Sequence, residues 1–352
     1  MAAAVTEWFR ANRRELPWRE VDRRTGRRDP YRSLVSEFML QQTQVSRVIE
    51  RFGRFIERFP DVGALAAANE EDVLAAWAGL GYYRRARLLH AAAREIVARF
   101  GGRVPEDVED LRTLPGVGRY TAGAMASMVF GRAEPLVDGN VVRVVLRVEG
   151  WEGAADDRGA VGAVWARAEE LVRASESPGE FNEGLMEVGA TVCGPGAARC
   201  GECPLARMCV ARRLGVQGSI PRAKKAAVRR RVVHWCALVR DGRGRVLLER
   251  APAGALWAGL WRLPTWEGSR VTGAELGARL GVGALEFAGE VKRQLSHRTV
   301  RLRLFRGTSG VRAVTGRKWV RVTDLERVGV SNAHLAAIAL AMTAGGSDGK
   351  TD

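Results

Sequence analysis

A mostly helical N-terminal domain followed by a smaller α+β domain is the architecture this sequence predicts, and three observations predict it. The 352 residues are enough for roughly two domains, and at 46% apolar and 27% charged they can bury real cores. Residues 1–211 are rich in Ala, Leu, Arg and Glu with helical periodicity, and 231–343 carry short strand-like runs between turns. Between them, 212–230 dissolves into Gly, Pro and basic residues and reads as a linker. The tail 344–352 reads as disordered.

Val73, Leu74, Trp77 and Leu80 form one apolar helical stripe, and Leu88, Leu89, Ala92 and Ile96 form another; both read as core. Glu106 to Leu114 reads as a helix with an acidic start, stopped by Pro115. A second helix, rich in Ala and Gly, follows from about Arg119 to Phe130. Val141 to Val148 has strong β propensity, yet a helical domain requires it to be helix. After the linker, Val232–Val239, Arg245–Leu248, Val300–Phe305 and Lys318–Val322 predict strands, and Asn332–Met342 a capped closing helix.

The turn Leu114-Pro115-Gly116-Val117-Gly118 is built for close backbone approach. Gly116 and Gly118 allow positive φ, and the free N–H groups at the start of the next helix make an anion site. A phosphate held there fixes register and reads no base. Spacing alone does not separate such a grip from a packing corner. The formal charge of +16 suits a polyanionic partner, although an arginine-rich composition supplies the same charge without one. There is no run of about 18 apolar residues, so no membrane span is predicted. The first residues lack the pattern of a signal peptide, so an intracellular, cytoplasmic and nucleoid-associated location is the expectation.

Cys193, Cys200, Cys203 and Cys209 are spaced C-x6-C-x2-C-x5-C. Four thiolates in so short a loop suit a tetrahedral metal or a cubane cluster. The single C-x2-C pair favours iron–sulfur over a zinc ribbon, with zinc still open. Cys236, inside an apolar strand, reads as a buried thiol.

The cysteine spacing, the Leu-Pro-Gly-Val-Gly turn and Val137-Asp138-Gly139-Asn140 together resemble the endonuclease III superfamily of helix-hairpin-helix DNA glycosylases. Within it the chain resembles the MutY family of adenine DNA glycosylases. The further matching segments are Leu16-Pro17-Trp18-Arg19, Ser36 to Val45 around Glu37, Gln42 and Thr43, Trp77 to Ala86 around Tyr82, and Phe181 to Glu187 around Glu183. The resemblance implies a [4Fe-4S] cluster on the four cysteines and a monomer that binds double-stranded DNA between helical subdomains. Its implied substrate is adenine mispaired with 8-oxoguanine or guanine.

Cleaving a purine glycosidic bond builds positive charge on the sugar and negative charge on the base, the two-carboxylate logic of glycoside hydrolysis. The resemblance assigns the acid to Glu37 and the anion to Asp138, with Asn140 and Tyr120 assisting and a transient bond from Asp138 to the sugar carbon. Glu37 lies in an apolar stretch, so burial should raise its pKa. Asp138 opens a candidate helix, so its pKa should fall. Bifunctional relatives carry lysine where this turn carries Tyr120. A phenol forms no Schiff base, so the expected enzyme removes a base and has little or no lyase activity. Trp18, Arg19 and Glu183 are implied around the extruded adenine, with Gln42, Thr43 and Tyr82 on the DNA.

Gly254 to Pro264 and Gln294-Leu295-Ser296-His297 resemble the Nudix-like C-terminal domain of the same family, which helps recognise 8-oxoguanine. Leu295 replaces the family's aromatic in that loop, while Ser296 and His297 keep polar groups for the oxidised base or its phosphate. Only Glu267 and Glu275 follow Trp266 nearby, so pyrophosphate hydrolysis is not expected. Two other readings compete: a bifunctional lesion glycosylase/AP lyase of the endonuclease III type, and a non-catalytic iron–sulfur DNA-binding protein.

Overall fold

The structure is a computed structural model that describes residues 1–222, 228–268, 270–295, 297–309 and 316–343. The chain divides into two compact units: Met1–Ala67 with Leu88–Ala226, and Ala68–Arg87 with Ala227–Asp352. The N-terminal texture gave no sign of this excursion, because residues 68–87 are as helical and apolar as their neighbours. What sets them apart is the surface against which they pack.

The first unit is helical. Its helices are α1 (Ala2–Asn12), α2 (Pro30–Leu40), α3 (Val45–Arg58) and α4 (Val62–Ala67). A short helix of the second unit, α5 (Glu70–Ala76), intervenes before α6 (Arg84–Phe100). Then come α7 (Val108–Thr113), α8 (Arg119–Met128), α9 (Gly139–Glu149), α10 (Arg158–Arg173), α11 (Pro178–Thr191) and α12 (Val210–Arg213). Asp29, Asp107, Asp138 and Asp157 each cap a helix by accepting from first-turn N–H groups. Pro30 and Pro178 sit in first turns, where no N–H is required.

The valine-rich segment 141–148 is helix α9 despite its β propensity. Val141, Val142, Val144, Val145, Leu146 and Val148 are all buried in one core with residues of α10 and α11. Each valine loses about 0.5 kcal/mol of helix propensity relative to alanine and gains about 1.5 kcal/mol or more by burial, so packing decides.

Helices α7 and α8 form the predicted hairpin, shorter than expected at both ends: Asp107 caps α7 from outside and α8 stops at Met128. Gly116 has φ +81°, and a Cβ there would lie 2.8 Å from both Leu88 Cβ and Phe38 Cε1. Gly118 differs from the expectation. It is extended, with φ −90° and ψ 180°, and a Cβ there would meet open space.

The second unit holds a mixed seven-stranded sheet: β1 (Arg230–Arg240), β2 (Val246–Arg250), β3 (Trp261–Arg262), β4 (Thr265–Glu267), β5 (Glu286–Gln294), β6 (Arg298–Thr308) and β7 (Arg317–Val320). The order is β3-β2-β1-β6-β5, with β4 also pairing β1 and β7 pairing β2. β1 and β6 run parallel, from Arg230↔Arg298 to Arg240↔Thr308, and the other pairs are antiparallel. Alternation along β1 splits the core. Cys236 and Leu238 face α14 (Asn332–Thr343), while Trp235, Ala237 and Val239 face α13 (Gly273–Leu280). Strands β3, β4 and β5 and helix α13 were not read from the sequence. β3 and β4 are too short to carry a period, and β5 has burial mostly at its centre. The closing helix starts at Asn332 as expected, but the hydroxyl that accepts from its first turn is Ser331 Oγ, from His334 N at 3.4 Å.

Candidate active site

Glu37 sits on α2, whose residues Tyr31 and Ser33 to Met39 are buried. The residue is 5% exposed, and its buried Oε2 has no hydrogen-bond partner. Burial pushes its pKa up to about 7. The Tyr120 hydroxyl pulls the other way, while the charges of Glu183 and Asp138 push up and that of Arg28 pulls down. Tyr120 projects from the first turn of α8 and donates to Met186 Sδ, a weak acceptor, at 3.4 Å. Burial, then Glu37 and Asp138, raise its pKa well above the usual phenol value.

Asp138 caps α9. Its Oδ1 accepts from Asn140 N at 2.9 Å and Val141 N at 2.8 Å, and its Oδ2 from Asn140 Nδ2 at 2.8 Å. The expected fall in its pKa does not occur. Burial outweighs these bonds and the nearby Arg143 charge, so the pKa is raised. A helix N-terminus on a wet surface stabilises an anion; here the same N-terminus is largely withdrawn from water. What separates the two carboxyls is hydrogen bonding, which favours the ionised form of Asp138 and is missing at Glu37 Oε2.

Behind Asp138 a chain of polar contacts leads to the cysteines. Asn140 Oδ1 accepts from Arg143 Nη2 at 2.8 Å. Arg143 also donates to Gly189 O and Cys193 O, each at 2.7 Å. Helices α9 and α11 come close here: a Cβ on Gly189 would lie 2.6 Å from Asn140 Cβ. Arg147, only 2% exposed, donates to Cys193 Sγ at 3.2 Å, Gly194 O at 2.8 Å and Ile220 O at 2.7 Å.

Cys193, Cys200, Cys203 and Cys209 line one cavity with Arg147. All five cysteines of the chain, Cys236 included, are free thiols. Burial, with the other three thiols adding to it, pushes Cys203 up to about 11. Among the described residues no three His, Cys, Asp or Glu side chains stand at metal-binding geometry. The donor set itself, four soft ligands on one cavity beside a buried guanidinium, fits a thiolate-held group.

Glu183 is a buried ion-pair hub. It accepts from Arg19 Nε at 3.0 Å and Arg28 Nη2 at 2.6 Å, and Arg19 also bonds Glu187 at 2.9 Å. Trp18 is buried edge-to-face against Phe52, with ring centroids 5.5 Å apart. Gln42, just beyond α2, is exposed with φ +57°, and Thr43 N bonds Leu40 O at 3.2 Å. In the second unit Tyr82 is 47% exposed with φ +47°. In the loop after β5, Leu295 packs against the core and His297 is exposed; Ser296 lies outside the described residues. Cys236 is fully buried opposite Thr265 Oγ1 at 3.5 Å, as its strand position predicted.

Residues 35–166 match the HhH-GPD superfamily of base excision DNA repair proteins, and residues 235–340 match the NUDIX domain. The adenine DNA glycosylase of Mycolicibacterium smegmatis is 42% identical over 243 residues, which span 69% of this chain and 78% of that one. The chain belongs to the adenine DNA glycosylase family. The human adenine DNA glycosylase is 36% identical over 320 residues, or 76% of this chain and 58% of that one. The chain spans about half the length of the mammalian and plant family members it matches. A solved structure of a thermostable thymine-DNA glycosylase, 29% identical, aligns with a TM-score of 0.54 over 60% of this chain and 95% of that one.

Membership in the adenine DNA glycosylase family rests on both halves of the chain, whereas the site geometry adds residues that the motifs did not single out. Arg28, Arg143 and Met186 belong with the site although none was picked out in the sequence. Glu187 had a signal, since Glu183 and Glu187 are four apart on α11 and share a face. Arg143 had a weaker one, three residues after Asn140.

Proposed function

We propose that the protein excises adenine paired with 8-oxoguanine or guanine in double-stranded DNA and leaves the strand unbroken. The observation that carries this reading is the Glu37 carboxyl, buried and unpartnered at Oε2 beside Asp138 and Tyr120, with a pKa near 7. Such a group holds a proton at neutral pH and gives it up readily. The flipped adenine takes that proton at N7, the N9–C1′ bond breaks, and its electron pair leaves with the base. Asp138, held by three hydrogen bonds, then faces the cationic sugar until water adds. Asn140 and Arg143 fix the orientation of Asp138. Tyr120 lacks an amine, so no imine forms with the opened sugar.

Cys193, Cys200, Cys203 and Cys209 would hold a [4Fe-4S] cluster, which would tie the loop to α9 through Cys193. The hairpin between α7 and α8 offers phosphate contacts at Gly116 and Gly118, because no side chain caps the first turn of α8. His297 and Ser296 are assigned to the oxidised base or its phosphate. Glu275 is engaged in a capping box with Thr272 and Glu267 lies 3.4 Å from His234, so neither supports a pyrophosphatase site.

A duplex with one 8-oxoguanine:A pair, incubated with the protein and resolved with and without alkali, tests this. Adenine loss with breakage only after alkali is the expected result. Breakage without alkali would favour the bifunctional glycosylase, and no product the non-catalytic reading.

A further inference from the structure

We propose that Glu71, Trp261 and Lys318 are positioning residues for Tyr82, so that the C-terminal half of the chain sets how this aromatic is offered to DNA. The inference rests on the glycosylase reading above and extends it to residues remote from the carboxyl pair.

All the contacts concerned lie within the second unit. Helix α5, capped by Asn69, places Glu71 in its first turn. Glu71 Oε1 accepts from Trp261 Nε1 at 2.9 Å and from Lys318 Nζ at 2.8 Å. The Lys318 ammonium also lies 4.1 Å from the centroid of the Trp261 ring, so the three groups form a closed set. Trp261 is 9% exposed and belongs to the sheet core, which makes the anchor rigid.

The segment after α5 needs such an anchor. Gly79, Gly81 and Tyr82 have φ of +99°, +70° and +47°. A tyrosine in the left-handed region persists only where its surroundings over-determine it. Arg85 holds the turn from inside, donating to Leu80 O and Gly81 O at 3.2 Å and lying 5.4 Å from the ring centroids of both Trp77 and Tyr82. The rest is held from the C-terminal half: Asn332 Nδ2 donates to Gly79 O at 3.4 Å, Tyr83 Oη to Val330 O at 3.5 Å, and Arg87 Nη2 to Ala258 O at 2.6 Å. The result is an exposed aromatic ring on a fixed backbone, the element that stacks in a DNA gap left by an extruded base.

The test uses the full chain with an 8-oxoguanine:A duplex carrying 2-aminopurine beside the mispair, whose fluorescence reports stacking. Variants are Glu71→Ala, Lys318→Ala, the conservative Lys318→Arg, and Tyr82→Ala alone and combined with Glu71→Ala. Glu71→Ala and Lys318→Ala are expected to weaken binding about tenfold, a fraction of what one base–aromatic stack contributes, and to change the fluorescence as Tyr82→Ala does. Lys318→Arg should restore both signals. The double variant should bind like Tyr82→Ala alone. An equal further loss in the double variant, or wild-type binding and fluorescence in Glu71→Ala, would overturn the inference. Wild-type behaviour of Tyr82→Ala would overturn it as well, whereas no adenine release by the unsubstituted protein would instead sink the underlying reading. Glu71 and Lys318 are both partly exposed, and an unchanged melting temperature in their variants separates repositioning from unfolding.

Discussion

At the scale of the residue, burial dominates both carboxyls of the candidate site, Glu37 and Asp138. Glu37 has its folded pKa raised to about 7, above the ordinary carboxylate value. A group raised in this way binds its proton more tightly when folded. Its stabilising contribution is therefore complete below the unfolded pKa and is lost as pH rises through about 7. Glu37→Gln is expected to flatten the loss of thermal stability between about pH 4.5 and about pH 7, read by melting scans across that range. The apolar neighbours of Glu37 made this shift legible in the sequence. The shift at Asp138 was misread, because a helix N-terminus is visible in sequence and the enclosure around it is not. Asp138→Asn keeps the cap, since both residue types cap well. It should leave melting within about 1 kcal/mol of the parent while removing single-turnover excision, a split that a purely structural role for Asp138 would not produce.

At the scale of the element, the hairpin between α7 and α8 separates two glycines that look alike in sequence. Gly116→Ala forces a side chain into the left-handed region and against Leu88 and Phe38, so a loss of about 1–3 kcal/mol is expected. Gly118→Ala meets open space at an extended φ and should stay within about 0.5 kcal/mol; chemical denaturation of both variants checks the contrast. The hairpin and the strands β1, β2, β6 and β7 were legible because periodicity, propensity or turn residues marked them, whereas α9 followed only from the helical domain around it, against its own propensity. Strands β3, β4 and β5 were not legible. Trp261 and Arg262, or Thr265 to Glu267, become strand only through the partners that long-range register brings to them. Likewise, that Glu183 and Glu187 meet Arg14, Arg19 and Arg28 is a fact of packing between distant segments, which no local pattern encodes.

At the scale of the whole molecule, the family motifs in sequence order, joined to the cysteine quartet, already pointed to an adenine-excising enzyme. What they could not convey is that residues 68–87 pack with the C-terminal half. Removing everything beyond Arg222 would therefore strip Leu74 of its neighbour Gly329 as well as delete the loop that carries His297, and would confound the two effects. Replacing His297, an exposed residue, is cleaner. His297→Ala is expected to lower the preference for 8-oxoguanine:A over G:A by about tenfold, the scale of one hydrogen bond, in paired single-turnover assays. The central claim, that a buried and protonated Glu37 drives base loss, is tested most directly by the pH dependence of the single-turnover excision rate on an 8-oxoguanine:A duplex. A rate that falls above about pH 7 and vanishes in Glu37→Gln at every pH is the predicted result; an unchanged rate in that variant, or a flat profile through pH 8, would contradict it.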